Sequence, residues 1–384
     1  MRIANIVTDE KFIDDVISLQ DMLNGGFQHD YIILRQKRNY SEEFIYIKNH
    51  ERVETVLRTD FFRTVRQKKY VAIFLHSLLA APLHIIAMIP DGIKVFWFSW
   101  GYDIYAPIGF NKPLVQIELY KEKTNEILNA LKSKKNTVDL RSFVLGAKRC
   151  IASVVNRIFL KRAVSRVDFY SGVLPYEYEL MKEHKFFHAK EVEYHYYSYR
   201  KSSPDVPFVP CNATNIILGN SADQTNNHMD ALEILMKLDL HGRKIIVPLS
   251  YGNMQYADFL CETISKKSWA GIVAVKDFMP FEDYAKLIGS CGVSIYFHER
   301  QQATGNIFLS LRNGNKVFLS ETNRIYGYLK SLGFTVFSVQ RDLNQAGLDT
   351  PLTESEQLRN WQLYYKTHNM EIQRKCLGHI YDCI

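Results

Sequence analysis

The residues of this chain best suited to chemistry stand in Phe297-His298-Glu299-Arg300-Gln301-Gln302-Ala303-Thr304-Gly305-Asn306, directly after the apolar run Val293 to Phe297. A cation, two amides and a glycine leave a strand pattern there, and an apolar helix pattern and then Asn313-Gly314-Asn315-Lys316-Val317-Phe318-Leu319-Ser320 come next. Strand-to-helix junctions of this kind hold phosphorylated ligands, because free N–H groups and the helix dipole favour negative charge. Arg300 can make bidentate, charge-assisted bonds to phosphate, while Gln301 and Gln302 can read a base, a sugar or an acetamido group. Thr304 is expected to cap the next helix, with Gly305 and Asn306 in its first turn. The plainer alternative is a surface ion pair from Glu299 or Arg300 beside an ordinary cap. The uncharged run from Gln301 to Asn306 at a strand end favours a nucleotide or nucleotide-sugar site.

A second loop, Gly219-Asn220-Ser221-Ala222-Asp223-Gln224-Thr225-Asn226-Asn227-His228, follows the run Ile216 to Leu218. Gly219 permits close backbone approach, and Asn220, Ser221 and Thr225 can donate hydrogen bonds to an anion. Against this, Ser221, Asp223 and Thr225 also suit simple turns and a helix cap, and the two readings balance. A third segment, Trp97-Phe98-Ser99-Trp100-Gly101-Tyr102-Asp103-Ile104-Tyr105, ends an aromatic strand pattern. Asp103 is a candidate general base or sugar ligand, with Trp100 and Tyr105 placed to stack on an acceptor sugar. The bland reading is a core strand with Asp103 capping a turn. His76, at another strand end, is a further catalytic candidate, although a lone histidine is more often structural.

The elements that must position these loops alternate between short β-rich runs and helical stretches, most clearly in the C-terminal half. Runs at Asn215 to Leu218, Lys244 to Leu249, Gly271 to Val275, Val293 to Phe297, Lys316 to Ser320 and Thr335 to Val339 imply βαβ units and a parallel sheet. Arg2 to Val7, Tyr31 to Leu34, Phe44 to Ile47, Val71 to Leu75 and Lys94 to Phe98 repeat the habit in the N-terminal half. Between the halves, Lys201 to Pro210 holds three prolines and two serines and is the expected linker. The domains therefore read as 1–200, a linker at 201–212, 213–355, and a helical tail at 356–384.

With 47% hydrophobic residues in 384, the chain can bury a large core, and 48 Lys+Arg against 41 Asp+Glu give a net +7 that favours anionic partners. The six cysteines show no C-x-x-C pair and no zinc spacing, so they read as reduced thiols. The N-terminus runs directly into a strand pattern without the regions of a signal peptide. Val71 to Pro90 is almost uncharged, but His76, Pro82, His84 and Pro90 divide it into a buried strand and a buried helix beginning near Ser77. From Arg141 to Arg166, cations alternate with apolar residues, as in a helix lying on anionic lipid or one packed on a sheet with its cations in water. The sequence has no Asp-x-Asp triplet, G-x-x-x-x-G-K-[ST], G-x-G-x-x-G or H-E-x-x-H motif, which argues against P-loop, dehydrogenase and zinc-protease chemistry. Phosphates bound here would be neutralised by Arg300 and helix N-termini, without a metal.

Taken together, Trp100-Gly101-x-Asp103-x-Tyr105, Leu218-Gly219-Asn220-Ser221-x-Asp223 with Asn226 and His228, Val247-Pro248 with Tyr251, and Arg300-Gln301-Gln302 with Gly305 resemble the bacterial 4-acetamido-4,6-dideoxygalactose (Fuc4NAc) transferases, glycosyltransferase family fifty-six. The marks run in order from about Phe96 to Asn323. The resemblance implies a GT-B fold, with two Rossmann-like, doubly wound α/β domains facing across a cleft and the donor nucleotide held by the C-terminal one. It implies metal-independent transfer from a TDP-sugar to an undecaprenyl-diphosphate-linked saccharide at the cytoplasmic membrane face, with no cofactor and no nucleic acid. Donor contacts are then expected from Gly219, Asn220, Ser221, Asn226, His228, Tyr251, Arg300, Gln301, Gln302, Gly305, Asn306 and Asn323. Acceptor contacts fall to Trp100 and Tyr105; Asp103, Arg300 and His76 are the catalytic candidates, with Asp103 as base if the anomeric centre is inverted. A nucleotide-sugar epimerase of the same fold, or a non-catalytic binder of anionic lipid or nucleic acid, are the rival readings.

Overall fold

The computed structural model describes residues 1–36, 44–108, 111–133, 142–196 and 207–384. Its chain folds into two units, each built on one parallel sheet.

The first sheet contains β1 (Arg2–Ile6), β2 (Gln28–Arg35), β3 (Val53–Leu57), β4 (Tyr70–His76), β5 (Lys94–Phe98), β6 (Phe169–Ser171) and β7 (Lys190–Glu191), in the order β3-β2-β1-β4-β5-β6-β7. The second contains β8 (Asn215–Leu218), β9 (Ile245–Pro248), β10 (Ile272–Val275), β11 (Cys291–Tyr296), β12 (Lys316–Leu319) and β13 (Phe337–Ser338), in the order β10-β9-β8-β11-β12-β13. Central strands such as Tyr70–His76 and Lys94–Phe98 are apolar almost throughout, because helices cover both faces of a parallel sheet and nearly all of their side chains are shielded from water. In both sheets the order reverses next to the first strand, between β1 and β4 and between β8 and β11. Loops leaving the carboxyl ends of two such strands diverge and open a crevice, the usual ligand position in doubly wound sheets. The Gly219 and His298 loops are the two that leave β8 and β11.

Several expectations are corrected. Phe44 to Ile47 is a loop, in which Asp9 accepts from the backbone N–H groups of Ile45, Tyr46 and Ile47 at 2.6 to 3.1 Å. The strand in that region is β3, whose half-exposed Val53–Leu57 lacks the apolar run that marks a central strand. The buried helix expected near Ser77 is a short turn at Leu78–Ala80, capped by Ser77, followed by the helix Leu83–Ala87. Residues 201–206 of the expected linker lie outside the described residues, as do Arg141 and the side chains before Val154 in the basic helix Ser142–Ser165.

The units also exchange segments that contiguous halves do not anticipate. The stretch from Ile117, with the helix Glu122–Ser133, belongs to the second unit, and His368–Ile384 belongs to the first. Asp230 fixes the former by accepting from the N–H groups of Lys123 (2.9 Å) and Thr124 (3.0 Å) at that helix's N-terminus, while Ile127 enters the second core. The closing helix Met370–Asp382 buries Leu377, Ile380 and Tyr381 against Ile3 and Phe74. An amphipathic pattern gives a helix's buried face but not which sheet that face covers. No helix among the described residues is long and apolar enough to cross a membrane.

Candidate functional site

After β8 the chain turns at Gly219, whose φ of +70° is the left-handed region. A Cβ there would stand 2.6 Å from Asn226 Oδ1 and 2.8 Å from His228 Nε2, so only glycine fits. Asn226 holds the loop: its Nδ2 donates to the carbonyls of Ser221 (3.2 Å) and Asp223 (2.9 Å), and its Oδ1 accepts from the Asn220 N–H at 3.0 Å. Asp223 caps the turn Gln224–Asn226 through the Thr225 N–H at 2.9 Å. The turn-and-cap reading of this loop therefore applies to its bonded residues. Ser221, Asp223 and Asn226 make its architecture, while Asn220 extends to the half-exposed Tyr251 and donates to its hydroxyl at 2.8 Å.

The loop after β11 is clamped from several sides. His298 Nε2 lies 2.8 Å from Asn226 Oδ1, and Asn227 Nδ2 donates to the Phe297 carbonyl at 2.9 Å, so the two loops form one body. Asn323 donates to the carbonyls of His298 (2.9 Å) and Arg300 (2.6 Å), which makes it a positioning residue. Glu299 accepts from Lys121 Nζ at 2.7 Å and Ser320 Oγ at 2.8 Å, so the expected surface ion pair exists but is mostly shielded, at 11% exposure of the Glu299 side chain. Half-buried Arg300 directs Nη1 to the Gln301 carbonyl at 2.8 Å. Gln301 donates to Thr304 Oγ1 at 2.6 Å, and Gln302 Oε1 lies against the Thr225 hydroxyl.

Thr304 does not cap the helix Thr304–Arg312. Ala303 occupies the cap position at a φ of +56°, where its methyl group can accept no bond, and the Thr304 hydroxyl serves Gln301 instead. The first N–H groups of this helix are thus left to another acceptor, and the strained Ala303 backbone is of a kind that clusters at functional sites. Gly305 is exposed in the first turn, and Asn306 donates to the Tyr284 hydroxyl at 3.2 Å. Burial pushes the His228 imidazole down to about 3 and holds His298 well below the ordinary histidine value, aided by Arg300, so both rings are neutral.

In the first unit the structure contradicts three assignments. Asp103 is fully buried, its Oδ2 accepting from Trp97 Nε1 (2.7 Å) and the Leu78 N–H (2.9 Å), and its Oδ1 from Ser99 Oγ (2.9 Å) and the Trp100 N–H (3.0 Å). A carboxylate closed in by four donors ties β4 to β5 and does not reach a substrate hydroxyl, so the turn-capping alternative holds. His76 is also fully buried, between Asn5 Oδ1 (3.0 Å) and the Tyr196 hydroxyl (2.9 Å), and burial pushes it down to about 3. It is a structural histidine. Tyr105 is a core residue, whereas Trp100 remains half-exposed and packs edge-on against Tyr196 at 5.5 Å between centroids.

Residues that sequence reasoning left without a role complete the second-unit site. His298 and Asn227 were legible only as neighbours of Arg300 and Asn226, and Lys121 comes from a segment 178 positions away from Glu299 in sequence. For metals, Glu193, His195 and Cys376 of the first unit are the only three-ligand group among the described residues, with ligand atoms within 4.8 Å of one another. There the Cys376 thiol donates to Glu193 at 3.6 Å.

The family described as 4-alpha-L-fucosyltransferase, glycosyl transferase group 56, matches residues 161–363, which include both loops. Among solved structures, the chain is similar to Anabaena HepE in complex with UDP and glucose, at 9% identity, 100% coverage of both chains and a TM-score of 0.64. It is also similar to sucrose-phosphate synthase from Thermosynechococcus elongatus, at 10% identity, covering 100% of this chain and 98% of that one with a TM-score of 0.64. A glycosyltransferase from Rickettsia africae aligns over 99% of this chain and 97% of its own at 12% identity, with a TM-score of 0.57. These neighbours share the GT-B fold, and the two parallel-sheet units give this chain the same one.

Proposed function

Since the chain belongs to glycosyl transferase group 56, the 4-alpha-L-fucosyltransferases, we propose that it moves an acetamido-deoxyhexose of the Fuc4NAc type from a TDP-sugar to a polyprenyl-diphosphate-linked saccharide. That it is a nucleotide-sugar-dependent glycosyltransferase follows from the family and the fold. The observation that carries the donor assignment is the joined pair of loops after β8 and β11, at the reversal of strand order in the second sheet.

In this reading, Gly219 admits the ligand close to the backbone, and Asn220, Tyr251, Gln301 and Gln302 line its uncharged parts. Arg300 and the uncapped N-terminus of Thr304–Arg312 offset the charge that develops on the departing nucleoside diphosphate, so transfer needs no metal. Asn226, Asn323 and Ser221 hold these groups in place and Asn306 lies beside them. Trp100 remains the acceptor-side candidate of the first unit.

The acceptor lipid suits the outer face of the helix Ser142–Ser165. Val154, Val155 and Ile158 are 60%, 45% and 47% exposed, and Arg157, Lys161 and Arg162 are exposed beside them. Met88, 61% exposed, follows the helix Leu83–Ala87 that packs on the same helix. Apolar side chains ringed by cations suit docking on anionic lipid, which supports a position at the inner face of the cell membrane.

The test is incubation with TDP-Fuc4NAc and a polyprenyl-diphosphate-linked disaccharide, in magnesium and in EDTA, with the lipid product read by mass spectrometry. Equal sugar transfer in both buffers is expected. No transfer with either buffer defeats the proposed reaction, and conversion of the nucleotide sugar without lipid favours the epimerase instead.

A further inference from the structure

At the ends of β8 and β11, four side chains more than nine-tenths buried each carry a polar atom with no partner: Asn220 Oδ1, His228 Nε2, His298 Nδ1 and Gln301 Oε1. Among the other described residues of this unit, Asn315 Oδ1 shares that condition. Buried polar atoms normally find partners, and their concentration on two joined loops marks a place where something else supplies them.

For His298 the hydrogen-bonding role can be derived. Asn226 Nδ2 faces the carbonyl oxygens of Ser221 and Asp223, which only accept, and this fixes the orientation of the amide. Its Oδ1 accordingly accepts from the Asn220 N–H at 3.0 Å and from His298 Nε2 at 2.8 Å, so Nε2 carries the ring proton. Nδ1 is left as a bare lone pair, because burial and the nearby Arg300 oppose a second proton. A phosphate oxygen beside Arg300 is itself an acceptor and cannot satisfy it.

We infer that His298 is a specificity-determining residue whose Nδ1 accepts a hydrogen bond from a hydroxyl or N–H group of the nucleotide sugar adjoining its diphosphate. The inference rests on the donor-site reading above. The group can belong to the transferred sugar or to the nucleoside, and both share the chemistry of a neutral proton donor. Ligand binding then discriminates against molecules that lack this group, because an analogue without it leaves the lone pair desolvated and unpaired.

Two substitutions separate the ring's two nitrogens. In His298→Gln the side-chain amide reaches the position of Nε2 and keeps the bond to Asn226 but offers nothing at Nδ1. In His298→Asn the amide reaches only the position of Nδ1. Binding of TDP, TDP-glucose, UDP and UDP-glucose is measured by calorimetry for wild type and both variants, alongside melting temperature. His298→Gln is expected to melt near wild type and bind roughly tenfold more weakly, while His298→Asn melts lower yet keeps its ligand preference. A loss confined to the sugar-bearing ligands assigns the proton donor to the sugar, and an equal loss with bare TDP or UDP assigns it to the nucleoside. Unchanged affinity of His298→Gln, with wild type binding normally, overturns the role of His298 and leaves the donor site standing. A wild-type protein that ignores all four ligands overturns both.

Discussion

His298 Nε2 lies 2.8 Å from Asn226 Oδ1, and through this bond the loop after β11 is held against the loop after β8. The two residues are 72 positions apart in sequence, yet each needs the other. Asn226 uses all its bonding capacity on its own loop and on His298, so the two loops of the proposed donor site form a single hydrogen-bonded body. Replacing Asn226 with Leu is expected to cost about 2–4 kcal/mol, by orphaning several buried groups at once, and to weaken nucleotide binding with it. Chemical denaturation and calorimetry check the two effects together; a stable variant with normal affinity contradicts the coupling.

Gly219→Ala places a methyl group within 2.6 Å of Asn226 Oδ1 on a backbone at φ +70°. Strain in the left-handed region adds to the displaced Asn226, and loss of at least tenfold in nucleotide affinity is expected from an interaction worth roughly 1–3 kcal/mol. Titration with TDP reads it directly.

Arg300→Ala is expected to lower turnover about 100-fold or more, as removal of a charge-stabilising donor does, while melting stays within about 1 kcal/mol of wild type. Transfer at the wild-type rate would remove Arg300 from the mechanism.

Asp103→Asn turns one acceptor oxygen into a donor facing other donors, in a site where Trp97, Leu78, Ser99 and Trp100 all point at the carboxylate. The expected result is a loss of about 2–4 kcal/mol in stability. A base, by contrast, would leave stability unchanged and lower turnover, so melting and kinetics measured on one preparation distinguish the two roles.

Acid is expected to destabilise the protein. Burial lowers His29 to about 4, and His76 and His228 to about 3, from an ordinary value of 6.5. The unfolded chain therefore binds more protons than the folded one across this range, so stability rises with pH there and is lost as pH falls below 6.5. Between pH 6.5 and 5 each such histidine removes up to about 2 kcal/mol, which melting curves at the two pH values measure. Glu177 has the opposite sign. Burial raises its carboxyl to about 7 from 4.5, so its contribution is present below 4.5 and lost as pH rises through 7. Glu177→Gln is expected to stabilise the protein at pH 8, by up to about 3 kcal/mol, and to lose that advantage below pH 4.5.

The parallel-sheet class was legible in the residues alone, since strands buried on both faces must be almost continuously apolar, as Tyr70–His76 and Lys94–Phe98 are. The sequence also marked both second-unit loops as candidates, because Gly219 and the uncharged Gln301 to Asn306 run are local signals that survive without knowledge of neighbours. Which polar residues are already bonded within the fold emerged from the packed chain. Asp103, His76 and Asn226 look in sequence like Arg300 or His298, and what separates them is the number of partners that distant segments bring to each. The assignment of the helices Glu122–Ser133 and Met370–Asp382 to the opposite units was likewise beyond the sequence. An amphipathic stripe states that a face must be buried, and only the packed chain supplies the surface that buries it.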